Sequence, residues 1–372
     1  MIGHRDVAAT QGEQMTAAPF SDTPPAAAPS TTTSAQGPSD DTRRTAVRDG
    51  LVGPPPPFDP ELAAALDVIN EQFGGRLNLD DIPAVRAGQA QSRLSDEDLR
   101  RDGAFEVEER TVPGPAGEPD ISLLICRPAG ATTALPALYH IHGGGMVLGD
   151  NRSGVDTALD WAQELDLVVV SVEYRLAPEH PHPAPVEDSY AGLVWTAEHA
   201  AELGIDPGRI VVGGGSAGGG LAAGVALLAR DRGGPALAGQ LLMCPMLDDR
   251  NDTVSSLQMA GLGVWDSAAN HAGWTALLGE RRGGPDVPPY AAPARATDLS
   301  GLPPAFIDVG SAETFRDEDV TYATRLWQAG GAAELHVWPG GFHGFEMMAP
   351  QAALSQDARN APLVWLRRLL TN

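Results

Sequence analysis

Three side chains set far apart in this sequence are of the types that together perform acyl transfer: a serine, a histidine and an acid. Ser216 stands in Gly214-Gly-Ser-Ala-Gly218, just after the apolar run Ile210-Val-Val212. A G-x-S-x-G pattern between a strand and a helix makes a sharp turn that lifts the serine hydroxyl clear of the backbone. Small neighbours are needed there because such a turn brings other backbone within contact distance. The same stretch read from Gly213 spells G-x-G-x-x-G, the form of a dinucleotide-phosphate loop. That loop requires an acidic residue about 20 residues beyond its last glycine to grip a ribose. Counting on from Gly218 reaches the apolar Gly239-Gln-Leu-Leu-Met-Cys244, and the first carboxylates, Asp248 and Asp249, lie past Pro245. The nucleophile turn is the better reading.

The partners of a serine nucleophile are present as well. His142-Gly-Gly-Gly145 follows the strand-like run 137–141, and consecutive glycines allow backbone N–H groups to face an oxyanion. A plain glycine-rich turn is the bland alternative. His343, in Gly340-Gly-Phe-His-Gly344 after the last strand-like run, can reach over the sheet edge as the base. His4, His180, His182, His199, His271 and His336 have no such setting. The acid that would orient the imidazole comes from the stretch 306–318. Glu313, in the loop just past a strand, is favoured over Asp308 inside the strand, while Asp317 reads as a helix cap. Ser216, Glu313 and His343 then follow the chain order Ser, acid, His.

These residues need a scaffold, and the pattern supplies one. Strand-like runs fall at 105–111, 121–127, 137–141, 167–172, 210–212, 239–244, 305–309 and 334–338. Helical segments at 186–203, 217–230, 318–328 and 353–370 separate or follow the later runs. This alternation predicts an α/β fold, a mostly parallel eight-stranded sheet with helices on both faces. Pro113-Gly-Pro-Ala-Gly117 between the first two runs suits an antiparallel hairpin at the sheet edge. Residues 1–57, rich in Ala, Pro, Ser and Thr, are expected to form a disordered extension. Residues 58–103 read as N-terminal cap helices and 104–372 as the catalytic domain, with a cap insertion at about 245–289 whose helix Asp266 or Ser267 could cap.

Composition limits the partners. The chain has 372 residues, 42% hydrophobic, and a formal net charge of −24. That charge argues against nucleic acid and anionic membranes, and no apolar run approaches the roughly 20 residues of a membrane helix. The N-terminal residues lack a signal-peptide pattern, so a cytoplasmic location is expected. Cys126 and Cys244 lie in strand-like runs without a ligand-spaced neighbour and are expected to be buried free thiols.

Taken together, the sequence resembles the hormone-sensitive-lipase-like family of α/β-hydrolase carboxylesterases over roughly residues 60 to 370. The resemblance rests on His142-Gly-Gly-Gly145, Tyr174-Arg-Leu-Ala-Pro-Glu-His180, Gly214-Gly-Ser-Ala-Gly-Gly219, Leu302-Pro-Pro-Ala305, Arg316-Asp-Glu318 and His343-Gly-Phe345. It implies oxyanion N–H groups from Gly144, Gly145 and Ala217, a lid, and no metal or organic cofactor. Two positions depart from the family's usual pattern: Gly215 stands where Asp or Thr is common, and Glu313-Thr314 where Asp-Pro is usual. Tyr174–His180 reads as structural, with Arg175 pairing with a carboxylate.

The expected reaction is hydrolysis of short- to medium-chain esters through an acyl-enzyme, with Met146, Gly215, Trp265 and Trp274 contacting the substrate. The two tryptophans read equally well as lid core. An amidase, lactonase or carbohydrate deacetylase on the same triad, or a non-catalytic receptor on the same fold, are the competing readings. The sequence leaves a homodimer open.

Overall fold

The computed structural model describes residues 50, 52–73, 77 and 79–371. The extension expected at 1–57 lies mostly outside the described residues. Its described end is tied down, since the Gln258 side-chain amide donates to the carbonyls of Gly53 and Pro54. Helices α1 (Pro60–Phe73), α2 (Ile82–Gln89) and α3 (Asp96–Arg100) precede the sheet. Asp81 caps α2, and Ser95 and Asp98 form a reciprocal capping box on α3.

Eight strands follow: β1 (Phe105–Val112), β2 (Ile121–Pro128), β3 (Leu135–Ile141), β4 (Val168–Glu173), β5 (Ile205–Gly215), β6 (Gly239–Met243), β7 (Ala305–Gly310) and β8 (Ala333–Trp338). Their spatial order is β1-β2-β4-β3-β5-β6-β7-β8. β2 pairs antiparallel with both β1 and β4, so the expected edge hairpin is present, and all later pairings are parallel. Each strand run read from sequence is found. The largest difference is β5, which begins at Ile205 rather than Ile210. Its polar start, Asp206-Pro-Gly-Arg, hides the extended backbone from a hydrophobicity pattern.

The other helices are α4 (Val155–Leu165), α5 (Ala184–Glu198), α6 (Ala200–Leu203), α7 (Ala217–Arg232), α8 (Val254–Gln258), α9 (Ser267–Leu278), α10 (Arg316–Gln328), α11 (Phe345–Met348) and α12 (Ala353–Thr371), of which α4, α5, α7, α10 and α12 cover the two faces of the sheet. α7, which follows Ser216, is buried along Ala217–Ala229, unlike an amphipathic surface helix. It packs between the sheet and α5, and its glycines permit close contact: a Cβ on Gly224 would lie 2.6 Å from the Tyr290 carbonyl oxygen. On the opposite face Leu138, Val169, Val211, Leu241 and Phe306 pack with Leu159 and Trp161 of α4 and Trp365 of α12. α1 packs through Leu62 and Leu66 on Phe342 and Phe345, which flank His343.

Asp266 is the cap of α9, accepting from the amides of Ala268 and Ala269. Asp317, expected to cap the next helix, does not: α10 begins at Arg316, and Asp317 lies in its first turn, where it accepts from the Ser255 amide at 2.7 Å. It therefore ties the start of α8 to α10. Arg175 pairs with Asp188, with its Nε and Nη2 each 2.8 Å from a carboxylate oxygen, and also with Glu118. Cys126 and Cys244 are buried and unbonded.

Candidate active site

Ser216 occupies the hinge between β5 and α7 with φ 58° and ψ −124°, a conformation that L-residues rarely adopt. The turn is held from both sides: the Ser216 amide donates to the Met243 carbonyl at 2.8 Å, and the Met246 amide donates to the Ser216 carbonyl at 2.9 Å. Close approach explains the small residues around it. A Cβ on Gly214 would stand 2.2 Å, and one on Gly218 2.0 Å, from the carbonyl oxygen of Ile141 on the neighbouring strand. Gly215 is different, because a Cβ there would touch nothing nearer than 3.9 Å. Its missing side chain widens the cavity.

His343 Nε2 lies 2.9 Å from Ser216 Oγ, and His343 Nδ1 lies 2.7 Å from Glu313 Oε1. Glu313 is only 2% exposed, and its Oε2 accepts from the Gly310 amide at 2.9 Å. The loops that carry Glu313 and His343 are joined by a bond from the Ala312 amide to the Gly341 carbonyl. Phe315 meets the imidazole edge-on at 5.1 Å between ring centres. Thr314, where the resembled family usually has proline, donates its hydroxyl to the Trp265 carbonyl at 2.8 Å.

Asp308, the second candidate acid, points elsewhere and accepts from Trp338 Nε1 at 3.0 Å. Burial first, and then the nearby Glu346 carboxyl, push its pKa up to about 8. Burial also raises Glu346, Glu318 and Asp319 above the ordinary carboxylate range. The acids around Glu313 are thus biased toward their neutral forms, which limits repulsion against a single carboxylate at His343.

A cavity of about 280 Å³ opens on this group, lined by Ser216, His343, Gly143, Gly144, Gly215 and Trp265 among others. Gly144, at φ 105°, forms the turn in which the amides of Val147 and Leu148 donate back to its carbonyl. Among the described residues, the amides of Gly144, Gly145 and Ala217 are taken up by no turn or loop carbonyl. Ala217 is the first residue of α7, where helical N–H groups have no internal partner and favour negative charge.

Two residues expected at the substrate are not on the cavity wall. Trp274 is fully buried in the main core. The part of α9 facing the glycine loop is Gly273, whose Cβ would lie 3.1 Å from the Gly145 carbonyl, and one helical step of about 100° turns Trp274 away from it. Met146 is also fully buried, at φ 63°, with its carbonyl accepting from the Ala177 amide. The loop has by then turned back into the core. Sequence reasoning missed other wall residues, including Leu77, Gln89, Met243, Cys244 and Val264. The Cys244 sulfur lies within 4.8 Å of ligand atoms of Glu313 and His343.

A serine on a strand-to-helix hinge, hydrogen-bonded to a histidine that is itself bonded to a buried acid on a parallel sheet, defines the α/β-hydrolase class. Residues 138–347 match a family described as having the alpha/beta hydrolase fold. The chain is 38% identical to the Mycobacterium tuberculosis protein named Carboxylesterase NlhH, covering 85% of this chain and 97% of that one. Among solved structures, Bacterial Heroin Esterase matches with a TM-score of 0.77 and 41% identity, over 84% of this chain and 98% of its own. A thermostable esterase from Pseudomonas putida matches with a TM-score of 0.74 and 32% identity, over 86% and 99%. The chain belongs to this α/β-hydrolase family, in its hormone-sensitive-lipase-like branch. Among the described residues, no helix is long and apolar enough to cross a membrane.

Proposed function

We propose that this chain is a serine esterase that hydrolyses short- to medium-chain carboxylic esters through an acyl-enzyme on Ser216. The observation that carries the reading is the bonded series Ser216 Oγ, His343 and Glu313, opening on a cavity beside a glycine-rich loop. Relatives whose names state esterase activity, including Carboxylesterase NlhH and Bacterial Heroin Esterase, support the reaction class.

His343 Nε2 accepts the Ser216 proton as Oγ attacks the ester carbonyl. Negative charge then develops on the carbonyl oxygen and is met by the amides of Gly144, Gly145 and Ala217 together with the N-terminus of α7. Glu313 keeps Nδ1 protonated and stabilises the imidazolium. His343 passes its proton to the departing alcohol, and a water, deprotonated by the same nitrogen, releases the acid and restores Ser216.

A fluorophosphonate probe tests this directly. The expected result is a single adduct on Ser216 by mass spectrometry and loss of turnover of p-nitrophenyl butanoate in Ser216→Ala. Labelling at another residue, or full activity in that variant, would overturn the proposal.

A further inference from the structure

One part of the cavity runs beneath α4 and α12 along the face of the sheet. His140 and Met243 line it from the strands, Thr157 and Trp161 from α4, and Pro362 from α12. Side chains two apart on a strand share a face. His140 therefore continues the face begun by Leu138, which packs among Val155, Leu159, Trp161 and Trp365. In those surroundings a histidine is the exception.

The imidazole is only 5% exposed and is held at one end, where Nδ1 lies 3.1 Å from Ser171 Oγ. Burial, with a smaller contribution from His142, pushes its pKa down to about 3, so the ring is neutral near pH 7. Among the described residues nothing hydrogen-bonds Nε2, and unlike the sealed Nε2 of His142 it is open to the cavity. Gly154 leaves this side uncovered, since a Cβ there would sit in contact with the nitrogen at 3.6 Å.

A buried polar group without a partner is destabilising, and in a cavity the missing partner is a water or an atom of the ligand. A plain alkyl chain entering this lobe would displace the water and strand Nε2. An alkyl chain carrying an oxygen at the same depth would replace it. A hydroxyl satisfies either tautomer of His140, because it both donates and accepts.

Resting on the proposed ester hydrolysis, we propose that His140 selects esters that carry a hydrogen-bonding oxygen on the half of the substrate occupying this lobe, that is, hydroxy- or alkoxy-esters over plain alkyl esters. A site built to bond a substrate oxygen discriminates against the analogue that lacks it, because its own polar group is left unpaired.

The test compares kcat/KM by pH-stat for two matched pairs, one for each half of the ester. These are ethyl 3-hydroxybutanoate against ethyl butanoate, and 2-methoxyethyl acetate against butyl acetate. The expected result is a preference of at least about ten-fold for the oxygenated member of one pair, the discrimination lost when a buried polar group goes unpaired. That ratio should fall close to one in His140→Phe and persist in part in His140→Gln, which keeps a polar end. His140→Leu, a second apolar replacement expected to lower the same ratio, gives an independent reading should His140→Phe not fold. A wild-type ratio near one in both pairs, or a ratio unchanged in the variants, overturns this inference while turnover of ethyl butanoate leaves ester hydrolysis standing. Absence of turnover for all four esters, with no adduct on Ser216, overturns both.

Discussion

Trp265 lies directly over Gly145: a Cβ built on that glycine would stand 2.2 Å from the indole ring. The indole is fixed in turn from the insertion, where Trp265 Nε1 faces Asn270 Oδ1 at 3.5 Å and Asn270 donates to Asn251 at 3.0 Å. The glycine loop and the insertion are therefore one packed unit, and the φ of 63° at Gly145 adds a second reason for glycine.

Gly145→Ala should accordingly displace either the indole or the loop by about an ångström, enough to lower kcat/KM on the order of 10²-fold. Far-UV circular dichroism should remain that of the parent, because the change is local. Steady-state kinetics on p-nitrophenyl butanoate check this, and parental activity in the variant would show that the loop does not position the amides as proposed.

The two candidate acids separate cleanly under isosteric substitution. Glu313→Gln keeps the shape but cannot hold the imidazolium, and a drop in kcat of roughly 10³- to 10⁴-fold is expected, the scale seen when a triad carboxylate is neutralised. Asp308→Asn retains an acceptor for Trp338 Nε1, and less than about a ten-fold loss is expected, consistent with a group held neutral in the parent. Reversal of these magnitudes would transfer the role to Asp308.

Asp308 has a signature in stability as well. Its folded pKa, near 8, lies above the ordinary 3.8, so between these values the folded chain holds a proton that the unfolded chain has released. Stability from this group is fully present below about pH 4 and declines as pH rises through 8. Asp308→Asn removes the dependence. From pH 5 to pH 9, Tm of the parent should therefore fall relative to Tm of the variant. Glu318, Asp319 and Glu346 are also raised by burial, but they are present in both proteins, and for Asp319 only the smallest contribution to its shift comes from Asp308. Parallel Tm curves would contradict the assignment.

Much of this site was legible in the sequence because each member sits where a strand ends, and strand ends are marked by a switch from apolar runs to glycine. Ser216, Gly144, Glu313 and His343 all follow β5, β3, β7 or β8 in this way. The burial of Trp274 and Met146 away from the cavity is not legible in composition, because helical phase and a turn in the loop decide which way a side chain points. Asp317 looked like a cap because helix starts favour acids, yet its carboxylate is committed to Ser255 across 62 positions of chain. His140 stands out in the sequence only as a neighbour of the glycine motif. Its meaning lies in a period of two from Leu138, on the face away from Ile141.

The backbone at Ser216 gives a final expectation. Its φ of 58° and ψ of −124° lie in a region that glycine enters freely and a residue with a Cβ does not. Holding a non-glycine residue there costs about 1–3 kcal/mol, and the surrounding bonds to Met243 and Met246 must sustain it. Ser216→Ala keeps the Cβ and the strain, whereas Ser216→Gly relieves it, partly offset by the greater chain entropy that glycine loses on folding. Both variants are expected to be inactive, but Ser216→Gly should be the more stable by about 1 kcal/mol in urea unfolding, with an unchanged m-value. Equal stability, or a less stable glycine variant, would show that the hinge is unstrained and that its geometry is set by the packing of Gly214 and Gly218 against Ile141 alone.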